Sequence, residues 1–236
     1  DVERSRGLGD VYKRQALNNA YNRGVDVRVL SEATTGGIGF FSLDPGIELL
    51  KRNTGSGTGI MHNKFLIIDK DQTNSSYVIM GSGNQTPDEL FDNPNNMVIF
   101  QDQTLAEAYT IEFEEMWGSS TLTPDANAAK FGPEKRNNTP HLFRIAGIDV
   151  ELHFSPSDGV TSQIVKALES GSESIHFAMF SFTRDEPAAT IIAKHNAGVL
   201  VQGLIENIND TGGEYPNFIA AGVDVGDHNA VPHLLH

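Results

Sequence analysis

A histidine, a lysine and an aspartate stand in the spacing H-x-K-x-x-x-x-D at His62, Lys64 and Asp69, and Ser82 and Asn84 lie in a Gly-Ser-Gly-Asn run that follows. An imidazole can attack phosphorus and form a covalent phosphohistidine, which divides one difficult displacement into two easier ones. An ammonium group beside it stabilises charge on the non-bridging phosphate oxygens. Ser82 and Asn84 can donate hydrogen bonds to the same oxygens, since the neighbouring glycines allow close backbone approach. The segment therefore predicts a phosphodiester-cleaving site.

The elements that must position these residues are two strands. Alternate side chains of a strand share a face, so His62 and Lys64 are expected side by side on one strand. The next four residues, 65–68, are all apolar, which favours a strand buried on both faces over a half-exposed hairpin strand. Residues 77–80 predict the second strand. The polar residues would then cluster at strand ends.

With these residues, the chain resembles the phospholipase D superfamily, because the spacing and the G-S-x-N run match its HKD motif. The resemblance implies an α/β fold of two repeated α/β/α sandwich units, and catalysis that requires no metal and no other cofactor. It assigns His62 as the nucleophile, and Lys64, Ser82 and Asn84 as phosphate-binding residues. Asp69 would hold a histidine of the site in orientation rather than take a proton itself.

A second HKD motif is expected because the chain repeats itself. Residues 22–30 match residues 196–204, with Gly24 and Gly198 separated by 174 positions. The same offset carries His62 onto His236, which we interpret as the first residue of the second motif. His236 would be the general acid, although the two histidines could exchange roles. The alternative is that Asp227, His228, His233 and His236 form a solvated polar loop or a chance metal cluster.

The domain organisation follows from this repeat. Residues 1–15 resemble translated adapter sequence and are set apart from the fold. Residues 16–118 are the C-terminal part of the first repeat, and residues 119–141, which contain three prolines, are a linker. Residues 142–236 are the N-terminal part of the second repeat, so both units are expected to be incomplete. The 236-residue chain itself is expected to be inactive.

Apolar periodicity predicts the remaining elements. Leu105, Tyr109, Phe113 and Trp117 recur every four residues and give a helix over 104–118 an apolar face, which we interpret as core and not as a base-stacking platform. The second repeat alternates strands and helices, which favours a largely parallel sheet with helices on both faces. Its expected elements are a strand over 149–154, a helix from Asp158 or Gly159, a strand over 175–182 and a helix capped by Thr183 or Asp185. His153 and His176, within those strands, are expected to be structural or rim residues.

Composition limits the substrate and the compartment. The net charge of −14 repels nucleic acid and anionic membranes at long range, which favours a phospholipid or small diester substrate. No apolar run reaches the roughly 18 residues of a membrane span. The absence of cysteine excludes disulfides and thiolate metal sites, but it is compatible with cytoplasm, periplasm or export. The compartment stays open, with periplasm or export slightly favoured.

One position departs from the family pattern. The family often carries an N-x-E-N stretch after the G-S-x-N run, and here Asn95 stands in place of the acid. Three alternatives to a phospholipase D-like hydrolase remain open. They are a nuclease of the same superfamily, a transferase such as a cardiolipin or phosphatidylserine synthase, and a non-catalytic binding member.

Overall fold

The computed structural model describes residues 14–32, 43–52, 59–84, 86, 89 and 91–227. These residues form two compact units. The first comprises the described residues up to Phe91 together with Asn96–Asp158, and the second comprises Asp92–Asn95 and the chain from Gly159. Each unit contains helices and strands, which confirms the α/β class. Residues 1–13 of the segment set apart as adapter sequence, and His236, lie outside the described residues.

The first unit begins with a helix and a pair of parallel strands. Helix α1 covers residues 14–22, so the last two residues of the segment set apart as adapter sequence form its first turn. Strands β1 (Arg28–Ser31) and β2 (Glu48–Lys51) pair in parallel. Their carboxyl ends therefore meet at one edge, where ligand-binding residues of α/β proteins commonly lie.

Three antiparallel strands follow, in the order β3 (Phe65–Ile68), β4 (Tyr77–Gly81) and β5 (Met97–Gln101). The prediction that β3 is buried on both faces is wrong, because β3 pairs with β4 as an antiparallel strand and its Leu66 and Ile68 are 38% and 41% exposed. The other face packs against the core through Phe65 and Ile67. An unbroken apolar run fills both faces of a strand, so its pattern cannot reveal which face is buried.

Helix α2 (Gln103–Trp117) packs on this sheet, as its periodicity predicts. Leu105, Tyr109 and Trp117 are buried. Phe113 stacks on Trp117 with ring centroids 5.4 Å apart. Tyr109 and Phe65 form a T-shaped contact with ring centroids 5.1 Å apart. The aromatic stripe is therefore part of the core.

A hairpin completes the first unit. Strands β6 (Leu142–Ile145) and β7 (Ile148–Glu151) pair antiparallel, and Phe143, Leu152 and Phe154 contribute to the same core as α2. The strand expected over 149–154 is thus shifted, and β6 has no counterpart among the expected elements. The hairpin packs with the first unit although it follows the expected linker.

The second unit has a parallel three-stranded sheet, as the alternation of strands and helices predicts, in the order β10 (Asp224–Asp227), β9 (Leu200–Ile205) and β8 (Ser174–Met179). Its core centres on Phe218, Val201, Ile205 and Ile191. The helix that begins at Asp185 has Arg184 as its N-cap residue, and not Thr183 or Asp185 as expected. Arg184 makes no side-chain capping hydrogen bond. Within the described residues, no helix is both long and apolar enough to span a bilayer. The elements are α3 (Val160–Ser170), β8 (Ser174–Met179), α4 (Asp185–Asn196), β9 (Leu200–Ile205), α5 (Tyr215–Ala220) and β10 (Asp224–Asp227).

Residues 22–30 and 196–204, which match in sequence, have the same local geometry. Helices α1 and α4 are each followed by a left-handed glycine, Gly24 with φ of 84° and Gly198 with φ of 91°. A parallel pair of strands follows each glycine, β1–β2 in the first unit and β9–β10 in the second. The capping bonds recur at equivalent positions: Gly24 N–H to Tyr21 O (2.8 Å), Val25 N–H to Ala20 O (3.1 Å), Gly198 N–H to His195 O (2.9 Å) and Val199 N–H to Lys194 O (3.1 Å).

Candidate active site

His62 and Lys64 lie immediately before β3, in residues without regular secondary structure, and not within the strand as expected. The Lys64 Nζ donates a hydrogen bond to the backbone carbonyl of His62 at 2.8 Å, and the His62 side chain is exposed. The Lys64 carbonyl accepts from the Gly81 N–H at 3.3 Å, which continues the β3–β4 pairing by one position. The ammonium group therefore lies beside the histidine through a backbone contact rather than through a shared strand face.

Ser82 lies on the neighbouring strand end and is held by Asn96. Its Oγ accepts from the Asn96 backbone N–H at 3.1 Å and from the Asn96 side-chain amide at 3.3 Å. Its own N–H donates to the Asn96 carbonyl at 3.2 Å. A Cβ on Gly81 would meet that carbonyl oxygen at 2.1 Å, so only glycine allows this approach. The G-S-x-N run thus places its serine at the same end of the sheet as Lys64.

The environment of Lys64 is less aqueous than that of a surface lysine. Burial lowers the pKa of Lys64 from its ordinary 10.5, because desolvation disfavours the charged amine. The negative charge of Glu89 acts in the opposite direction and raises the same pKa. A desolvated cation interacts more strongly with an anionic ligand than a hydrated one does.

A buried ion pair fixes the residue before His62. The Arg52 guanidinium donates to Glu32 Oε2 at 3.0 Å, and both side chains are buried. The same carboxylate oxygen accepts from the Met61 N–H at 2.7 Å. Glu32 and Arg52 directly follow β1 and β2, so the edge of the parallel pair anchors the start of the motif.

A second buried pair supports the segment from α2. Lys135 donates a short hydrogen bond to the Glu112 carboxylate, and both side chains are almost fully buried. The Asn63 side-chain amide donates to the same carboxylate at 3.4 Å. Burial raises the pKa of Glu112, and Lys135 opposes that rise. The residue between His62 and Lys64 is thereby connected to the helix.

Asp69 lies at the opposite end of β3 from His62 and Lys64. Five residues of extended chain separate its Cα from that of Lys64, which is about 16 Å at roughly 3.3 Å per residue. Its carbonyl accepts from Ser76 Oγ at 2.6 Å, and its carboxylate lies 3.5 Å from Ser75 Oγ. Its φ of 50° is left-handed. Within the first unit, Asp69 belongs to the turn after β3 and is not brought to His62.

Comparison with known proteins identifies the region that carries this geometry. Residues 10–117 match the family model described as cardiolipin synthase, PLD-like domain. Over these residues the chain carries a domain of the phospholipase D superfamily. The resemblance drawn from the HKD residues is therefore confirmed.

Similar proteins align with about half of the chain. A phospholipase D from Rickettsia prowazekii is 35% identical over 122 residues, which are 51% of this chain and 55% of that protein. A mitochondrial cardiolipin hydrolase from Canis lupus familiaris is 28% identical over 131 residues, 53% of this chain and 46% of that protein. The chain thus spans about half the length of these relatives.

A solved structure resembles the chain over more of its length. A polyphosphate kinase from Porphyromonas gingivalis matches with a TM-score of 0.51 and 12% identity, covering 94% of this chain and 35% of that one. At this identity the likeness shows the fold alone.

Three further positions belong to the motif pattern, namely Asn84, Asn95 and His236. Asn84 is half-buried next to the buried Gly83. The side-chain amide of Asn95 donates to the Asn93 carbonyl at 3.5 Å. His236 lies outside the described residues, so the pairing of two motif histidines remains a prediction.

Three charged groups near the HKD segment were not predicted from the sequence. Glu89 acts on Lys64 through its charge, while Glu32 and Glu112 hold the flanking backbone and side-chain amides. Glu32 had a usable signal, because a polar residue directly after a parallel strand lies at the edge where such sites form. The offset of 174 also places Glu32 onto Glu206, which follows β9 in the same way.

Proposed function

We propose that this protein is a phosphodiesterase of the phospholipase D type that acts through a phosphohistidine intermediate. The observation that carries the proposal is the contact of Lys64 with the backbone of His62, beside the Gly81–Ser82 strand end, inside the region matched by the family model. It puts an accessible imidazole, a desolvated amine and a hydroxyl at one end of one sheet. These are the groups that nucleophilic attack on phosphorus requires.

In the first step, an imidazole nitrogen of His62 attacks phosphorus and forms a P–N bond. The P–O bond to the alcohol breaks, and a second histidine donates its proton to the departing alkoxide. In the second step that histidine removes a proton from water, the water oxygen attacks phosphorus, and the P–N bond breaks. Lys64, with Ser82 and Asn84, would hold the non-bridging oxygens throughout. His236 is the proposed second histidine, and the two histidines could exchange roles.

The repeated geometry supports a second histidine supplied by this chain. The helix, the left-handed glycine and the parallel strand pair recur around Gly24 and Gly198 with equivalent capping bonds. The offset that relates these glycines also relates His62 to His236. Two repeats of the same unit would each contribute one motif.

A phospholipid is the proposed substrate. The relatives carry the names phospholipase D and mitochondrial cardiolipin hydrolase, and the net charge of −14 disfavours a polyanion such as nucleic acid. A nuclease or a phosphatidyl transferase of the same superfamily would use the same motif residues. Turnover of a phosphatidyl lipid and of single-stranded DNA, compared at several salt concentrations, distinguishes a phospholipase from a nuclease. Diversion of product by added alcohol identifies a transferase.

The chemistry is tested by replacing His62 in the longest available form of the protein. His62→Ala should abolish turnover, and wild-type protein quenched with acid during turnover of labelled substrate should carry phosphate on histidine. His176→Ala removes an exposed imidazole from β8 and serves as the matched control, with turnover unchanged. Both variants should unfold at the same urea concentration as wild type. Substantial turnover by a folded His62→Ala protein would exclude His62 as an essential catalyst.

A further inference from the structure

Two histidines and an aspartate converge in the first unit, away from the HKD segment in sequence. One ring nitrogen of His141, one of His153 and a carboxylate oxygen of Asp158 all lie within 4.8 Å of one another. The two imidazole rings have centroids 4.5 Å apart. We propose that these three side chains bind one zinc ion, independently of the proposed phosphodiesterase reaction.

His153 is placed so that one of its two tautomers suits a metal ligand. Its Nε2 lies 3.4 Å from the Glu151 carboxylate, to which it can donate its proton. Its Nδ1 is buried and has no hydrogen-bond partner among the described residues. Donation from Nε2 leaves a lone pair on Nδ1, and metal-binding histidines commonly donate their other ring N–H to a carboxylate in this way. A buried nitrogen without a partner costs free energy that a metal–nitrogen bond would offset.

His141 reaches the same arrangement by moving one proton. Its Nε2 lies 2.8 Å from the Asn137 side-chain oxygen, so the tautomer with Nε2–H donates to Asn137. Its Nδ1 lies 3.9 Å from Asp158 Oδ2 and 2.8 Å from the Leu152 carbonyl, to which the other tautomer donates. Zinc would replace that Nδ1 proton, and the ring would turn from the Leu152 carbonyl toward Asp158, with loss of the hydrogen bond to that carbonyl. The amide of Asn137 would then orient the ring from behind, as outer partners of metal ligands do.

Asp158 is the anionic ligand and is already held in place. Its side chain is 1% exposed. Oδ2 accepts from the Phe154 N–H at 2.7 Å, and Oδ1 accepts from the Ser157 hydroxyl at 2.7 Å. Each carboxylate oxygen offers two lone pairs, so Oδ2 keeps one for a metal.

The donor set selects the metal. Two imidazoles and one carboxylate suit zinc, whereas calcium and magnesium prefer oxygen ligands alone. Tetrahedral zinc places its ligand atoms about 3.3 Å apart, so small side-chain rotations would close the cluster around the ion. Water would occupy the fourth position. The ion would join three parts of the first unit: His141 lies just before β6, His153 follows β7, and Asp158 is the last residue of the unit.

The test is metal binding by the full chain after removal of metal with a chelator. The chain has eight histidines, and those at 228, 233 and 236 could bind metal adventitiously. A background with His228→Gln, His233→Gln and His236→Gln removes that contribution. In this background we expect one equivalent of Zn²⁺ to bind by calorimetry, and Co²⁺ to give the strong visible absorption of tetrahedral coordination.

Three variants in this background make the assignment specific. His153→Gln should weaken Zn²⁺ binding by more than about tenfold and abolish the Co²⁺ absorption. Glu151→Gln, a change at an exposed carboxylate that does not threaten the fold, should weaken binding by about tenfold through loss of the orienting bond. His176→Gln should bind as the background does. Failure of the folded background protein to bind Zn²⁺, or Zn²⁺ binding by the His153→Gln protein as tight as that of the background protein, would overturn the proposal.

Discussion

The Glu32 carboxylate accepts the backbone N–H of Met61 at 2.7 Å while it is paired with Arg52 at 3.0 Å. One buried side chain thus joins the edge of the β1–β2 pair to the residue that precedes His62. A nucleophile must be held within a fraction of an ångström, and a backbone anchor one residue away limits its movement. The ion pair is therefore a positioning element of the candidate site.

Replacing Glu32 with Gln should destabilise the protein by about 3–5 kcal/mol, because it leaves the Arg52 guanidinium buried without a counter-charge. The amide oxygen of glutamine can still accept the Met61 N–H. The lost free energy of unfolding therefore measures the effect of breaking the Glu32–Arg52 charge pair. Urea unfolding followed by circular dichroism gives the free energy. Glu48→Gln, at an exposed position of β2, should change it by less than about 0.5 kcal/mol. Equal stabilities of the two variants would show that the pair contributes little.

Replacing Glu89 with Gln should move the alkaline limb of the activity profile to lower pH. Under the proposed function Lys64 would bind phosphate in its protonated form, so activity should be lost as pH rises through its pKa. Glu89 raises that pKa against the lowering effect of burial, and its removal lowers the pKa further. The profile of kcat/KM against pH is the measurement. Asp71→Asn, which neutralises an exposed carboxylate paired with Lys70, should leave the profile in place.

Asp69→Asn should retain turnover within a few-fold of wild type, because the carboxylate lies at the far end of β3 from His62. Asparagine also tolerates the left-handed backbone at φ of 50°. Asp69→Ala should cost about 1 kcal/mol of stability, since alanine does not favour that region. A folded Asp69→Asn protein as inactive as His62→Ala would instead place the carboxylate in the reaction, as the resemblance to the family implied.

Lys135→Met should cost about 3–5 kcal/mol at neutral pH, because Glu112 is left as an unpaired buried carboxylate. Burial then raises the pKa of Glu112 without the opposing effect of Lys135. The native state of the variant binds a proton more tightly than the unfolded state, so its stability falls as pH rises from about the ordinary 4.5 through the raised pKa.

The deficit of Lys135→Met should therefore be smaller at acidic pH, which urea unfolding at several pH values can measure. The double variant Glu112→Leu with Lys135→Met removes both charges and should recover most of the lost stability. A deficit that stays constant with pH would show that the loss comes from packing rather than from the carboxylate.

Local spacing along the chain was sufficient for the family and for the kinds of element. Phosphodiester chemistry was indicated by four residues of one segment, His62, Lys64, Ser82 and Asn84. The type of reaction depends on which nucleophilic and phosphate-binding side chains are present. The four-residue recurrence from Leu105 to Trp117 predicted α2 because helix geometry converts that spacing into one face. Both inferences depend on residues close in sequence.

Tertiary structure decided which charges meet. Glu32 and Arg52 are 20 residues apart, and Glu112 and Lys135 are 23 apart, so no spacing rule pairs them. The exposed face of β3 and the distance of Asp69 from His62 depend on which strands pair and in which direction. The same holds for the cluster of His141, His153 and Asp158, which forms because a hairpin and the turn after it fold together. Burial and charge pairing arise from contacts between distant segments, and only the packed chain fixes them.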